Sequence, residues 1–126
     1  MLDYIRNCYA RWQALREIAS LRDRDIEDIG LDRATLEDIA HLPEDVPDRM
    51  VAMAGVHGLR AEDLRSDWGR YLDLVRTCGH CRVRARCGRT LAATWGPSPE
   101  GVRFCPNAQA YAALAAGPKA GARLHA

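Results

Sequence analysis

The sequence predicts an all-α protein, a small helical domain of five or six helices with a four-cysteine metal or cluster site. Apolar residues recur at three- and four-residue steps along most of the chain, as amphipathic helices require. Gly, Pro and Asp separate these stretches at helix-length intervals, and none alternates as a half-buried strand would. Four of the five cysteines crowd into a 28-residue window.

With 126 residues and 48% hydrophobic content, the chain suffices for one compact domain and a small appendage. No run approaches the ~18 apolar residues of a membrane span. The opening MLDYIRNCYARW lacks the apolar core of a signal peptide. The expectation is a cytoplasmic protein without membrane contact, where grouped cysteines serve as metal ligands or redox groups rather than disulfides.

The net charge of +1 conceals two opposed halves. Residues 1–58 carry 7 basic and 12 acidic side chains, and residues 59–126 carry 11 and 5. Each half can therefore meet a different partner, or the halves can attract one another. Seventeen of the eighteen basic residues are arginine, which suits planar phosphate or carboxylate recognition. A GC-rich genome accounts for the global bias.

Residues 2–19 form a helix whose apolar stripe is Leu2, Ile5, Tyr9, Trp12, Leu15 and Ile18, with Cys8 as a small buried thiol beside it. Ser20 and Asp23 make a capping box for a short helix that stops at Gly30. Asp32 caps the next helix, Arg33 to about Ala40. After the connector Leu42–Pro47, Pro47 opens a helix over 47–56. His41 and His57, at helix ends, are capping or solvated. The clearest helix spans 61–77, where Leu64, Trp68, Tyr71, Val75 and Cys78 share the core face. Another, over about 82–94, groups Val83, Cys87 and Leu91, and a last one runs from Pro106 to Gly117.

The stretch LREIASLRDRDIEDIGLDRATLEDI resembles the YjiS-like family of small arginine-rich bacterial proteins, over residues ~11–40. Some YjiS-like proteins are implicated in binding RNA, so the resemblance implies a nucleic-acid or regulatory role. This copy is acidic through Asp23, Asp25, Glu27 and Asp28, which favours a helical packing module over phosphate binding.

Cys78, Cys81, Cys87 and Cys105 are spaced C-x2-C-x5-C-x17-C. Four thiolates can close a tetrahedral zinc site or hold an iron–sulfur cluster. Zinc sites favour two short-spaced cysteine pairs, and the second pair is missing here. A distant Cys-Pro closes the ligand run of many ferredoxin-type clusters, so a 4Fe–4S cluster is favoured, with one zinc ion as the alternative. CGHCRVRARC also resembles part of the cluster loop of endonuclease III-class DNA glycosylases. That family has its remaining cysteine upstream, and no helix-hairpin-helix motif is visible here, so its activity does not carry over. A thioredoxin-type pair at Cys78 and Cys81 needs its first thiol at a helix N-terminus, whereas Cys78 ends a helix. His80, Arg82 and Asn107 can hydrogen-bond the ligands from outside.

Arg76, Arg82, Arg84, Arg86, Arg89 and Arg103 face a single acidic residue, Glu100, in the same stretch. Some offset the charge of about −2 that a four-thiolate centre carries. The rest form a patch for phosphates or an acidic protein surface. Phe104, Trp95 and Tyr111 fit core positions. No hydrolytic triad, Gly-rich phosphate loop or paired carboxylates can be picked out, so no enzyme activity is expected.

Residues ~46–116 are similar to an uncharacterised four-cysteine domain of alphaproteobacteria, through the pattern around Trp68, Tyr71 and the cysteines and through "F-C-P-N-A". That resemblance implies the ligand set Cys78, Cys81, Cys87 and Cys105 and brings no activity. Three segments are expected: YjiS-like helices over 1–42, a four-cysteine helical domain over 43–117, and a mobile tail over 118–126. The expected function is a non-enzymatic iron–sulfur protein, a redox- or oxygen-responsive regulator or accessory subunit with a protein partner. The alternative is a zinc-stapled adaptor binding RNA, DNA or an acidic protein through its arginines.

Overall fold

A computed structural model describes residues 2–117 of the chain, and the tail expected over 118–126 lies outside the described residues. All regular structure among the described residues is helical: eight α-helices and one 3-10 turn. They pack as two compact units, the first ending at Glu44 and the second beginning at Asp45. No described helix is long and apolar enough to cross a membrane.

The first unit comprises α1 (Leu2–Ser20), α2 (Asp23–Asp28) and α3 (Arg33–Ala40), with α1 packed along α3 and Ile26 of α2 buried. Arg33 ties its elements together. One guanidinium donates to the carbonyls of Ile18 and Leu21 and to Asp23, satisfying acceptors that the end of α1 leaves open. The capping box forms two residues later than the sequence predicts. Ser20 instead closes α1, its Oγ donating to the Glu17 carbonyl at 2.7 Å, and the Arg22 amide donates to Asp25. Gly30, at a φ of 79°, reverses the chain so that the Leu31 amide returns to the Ile26 carbonyl.

Asp32 caps α3 as expected, its side chain accepting from the Thr35 amide at 2.7 Å. Asp32→Ala is expected to destabilise the first unit by about 1 kcal/mol. Chemical denaturation followed by helical circular dichroism checks this.

The stripe predicted for α1 is corrected. Leu2, Ile5, Tyr9 and Trp12 are all at least half exposed, and Cys8 is exposed rather than buried. Only Leu15 and Ile18 of that set are partly covered. α3 packs on α1, and the partly covered members of the stripe are those of its C-terminal half.

In the second unit α4 (Val46–Val56) packs on α5 (Ala61–Arg65) and α6 (Trp68–Gly79). Then follow α7 (Arg84–Ala92), a 3-10 turn (Pro99–Val102) and α8 (Ala108–Ala116). Val46, Met50, Met53, Leu64, Leu74, Val102 and Tyr111 form the core. The single helix expected over 61–77 is interrupted. Asp67 takes an extended conformation and accepts from the Arg70 amide at 3.0 Å, starting a new helix. The break turns Trp68 out to solvent, so the core face of α6 is Leu74 and Val75 with half-buried Tyr71 and Cys78. Trp95, expected to extend the face of α7, is 71% exposed because that helix ends at Ala92. His57 caps the end of α4, as one of the two expected roles has it, but it is half-buried rather than solvated. It packs on Tyr111 with ring centroids 5.7 Å apart, and burial lowers its pKa.

Candidate metal centre

Three helix ends and one helix interior carry the four cysteines. Cys78 lies in the last turn of α6 and Cys81 in the turn that follows. Cys87, only 6% exposed, projects from the middle of α7. Cys105 precedes α8, where Pro106 and Asn107 start the helix. All four are free thiols, and all four line one small cavity of about 20 Å³. The spacing therefore translates into convergence on a common space.

One sulfur also receives a donor. The Val83 amide donates to Cys81 Sγ at 3.3 Å. The nearby backbone amides of Asn107 and Ala108 act to lower the pKa of Cys105. Amides aimed at sulfur favour thiolate and are the usual accompaniment of metal-bound cysteine. Burial nonetheless dominates in the metal-free chain. It pushes the Cys78 thiol up to about 11, with Cys105 and Cys81 adding repulsion, and it raises Cys105 despite the two amides. The bare Cys78 and Cys105 thiols are protonated at neutral pH, and a metal would have to displace those protons.

Among the described residues, no three Cys, His, Asp or Glu side chains form a group that could close on one metal ion. A single zinc ion holds thiolates at about 2.3 Å and hence roughly 3.8 Å from one another. The four cysteines share the lining of one small cavity. A cluster gives each thiolate its own iron and so calls for wider separation than one zinc ion does. The donor set, all sulfur with an apolar surround, suits that group in ligand type.

Asn107 lies where the sequence suggested, though its role is wider. It is buried, donates from Nδ2 to the Leu74 carbonyl at 3.0 Å and hydrogen-bonds Tyr111, so it fastens α8 to α6 behind Cys105. His80 and Arg82 are exposed and do not line the cavity. His80 instead borders a surface groove with Asp73, Arg76 and Thr77.

The arginines divide. Arg84 pairs with Asp45 at 2.7 Å, and Arg86 covers the Phe104 ring at 4.2 Å. Arg76, Arg82, Arg89 and Arg103 are exposed. Arg82, Arg86, Arg89 and Arg103 form no ion pair among the described residues.

Sequence reasoning missed Arg49. It lies on α4, lines the cavity, hydrogen-bonds Asp45 and lies beside Cys87, and these two neighbours raise its pKa. One signal was available: Val46, Arg49, Met50 and Met53 share a face of α4, so an arginine interrupts a core-facing stripe. Compared with family models, curated proteins and solved structures, the chain finds no match in any of the three.

Proposed function

We propose that the chain is a non-enzymatic iron–sulfur protein, a redox- or oxygen-responsive regulator or accessory subunit of the cytoplasm. One observation carries this: four free cysteines line a single cavity, and a backbone amide donates to one of them. When bound, a 4Fe–4S group supplies a one-electron, oxygen-sensitive redox couple. The protein's part is to supply Cys78, Cys81, Cys87 and Cys105 as ligands, to surround them with apolar side chains and to join α6, α7 and α8 through them. Loss of those bonds would loosen three helix positions together and change the surface they present. A protein partner is supported by the uncovered row Leu2, Ile5, Tyr9 and Trp12 on α1.

A zinc-stapled adaptor is the alternative, favoured by the exposed Arg82, Arg89, Arg103 and Trp95. Guanidinium groups and an exposed indole suit a nucleic-acid strand.

Purification without oxygen separates the two. Brown protein with broad absorption near ~400 nm and about four irons per chain is expected for the cluster. Colourless protein holding one zinc, with RNA binding that falls steeply with salt, would establish the adaptor instead. Protein without any metal would remove both.

A further inference from the structure

Resting on the iron–sulfur reading, we infer that Arg49 is the charge partner of the bound centre and sets its reduction potential, with Asp45 as the brake on that charge. Arg49 Nη1 donates to the Arg84 carbonyl at 3.0 Å and Nη2 to Asp45 at 2.9 Å. Its Nε is buried and lacks a well-formed hydrogen bond, on a side chain that lines the cysteine cavity against Cys87. Asp45 accepts from Arg84 on its other oxygen at 2.7 Å.

Two guanidinium groups therefore share one carboxylate, leaving a net charge of +1 beside the cavity. Arg49 is the least exposed of the three, its side chain 19% exposed against 31% for Arg84 and 50% for Asp45. A charge withdrawn from water needs a counter-charge nearby. Asp45 is shared between two guanidinium groups and so balances only one of them, whereas a four-thiolate centre of charge about −2 would balance the other. The arginine fork is already held by two partners, so the side chain stands in the cavity lining at no further ordering cost.

Reduction adds one electron from a low-potential one-electron donor and makes the site one unit more negative, which a neighbouring cation favours. Arg49→Met should therefore move the midpoint potential in the negative direction, and Asp45→Asn, which frees the arginine's charge, in the positive direction. Arg49→Lys should stay close to the unsubstituted protein. The experiment is a dithionite titration of anaerobically loaded full-length protein with viologen mediators. Alongside it, the brown absorption is timed as it bleaches in EDTA. Arg49→Met should bleach several-fold faster. Opposite potential shifts in the Met and Asn variants establish the role, because a mere tie between helices would not give opposite signs. Unchanged potentials with intact helicity overturn it. If Arg49→Met fails to fold, the Asp45→Asn shift decides alone. Failure of the unsubstituted protein to take up iron would overturn the underlying reading, and this inference with it.

Discussion

Cys87→Ser is expected to abolish metal retention while barely disturbing the metal-free fold. Cys87 is the most buried of the four cysteines that line the cavity and stands in the interior of α7, where the backbone cannot shift to let another side chain take its place. Serine has nearly the same shape, so the metal-free protein should lose only about 1 kcal/mol. It does not provide a thiolate. In small metal-stapled domains, ligation contributes on the order of 10 kcal/mol to folding, and that contribution is what the variant removes. Urea titrations with and without bound metal, together with iron and zinc content per chain, measure both quantities. Equal metal content in the variant would show that the centre does not depend on this sulfur.

Tyr111→Ala should be the most damaging substitution of the metal-free core. Tyr111 is 1% exposed, meets His57 on one side, borders the cysteine cavity on another and hydrogen-bonds Asn107. Burial raises its hydroxyl pKa well above the usual range, so it stays a neutral donor. Removing the ring would merge its space with an existing cavity, which leaves the surroundings little ability to collapse. A loss of about 3–5 kcal/mol follows, enough to lower Tm on the order of 20 °C. Tyr111→Phe keeps the ring and should lose about 1 kcal/mol. Thermal melts of both variants test this, and comparable losses would mean that the hydroxyl, not the ring, matters most.

Local rules made the helices legible. Asp32 and Gly30 act within four residues of themselves, so their effects could be read from neighbours in sequence. Cys78 reached the interior end of α6 because the 3.6-residue period carried Leu74, Val75 and Cys78 to one side. The break at Asp67 stayed hidden because apolar residues continue in phase across it. Periodicity also revealed the stripe of α1 but could not say how much of its length is covered. That depends on tertiary packing. The cysteines announced themselves by type and spacing. Arg49 did not, since it lies 38 residues from Cys87 and belongs to a different helix. Neither was Val83 recognisable as a sulfur donor, because a backbone amide carries no residue-type signal.

The exposure of Cys8 divides the five thiols into two chemical classes. Four are sequestered around the cavity, and one projects from α1 into water. A maleimide fluorophore would therefore attach at position 8 in preference to the others, giving an optical reporter on the first unit that leaves the proposed ligands untouched. Handling in air has a matching hazard: two chains can cross-link through that same sulfur.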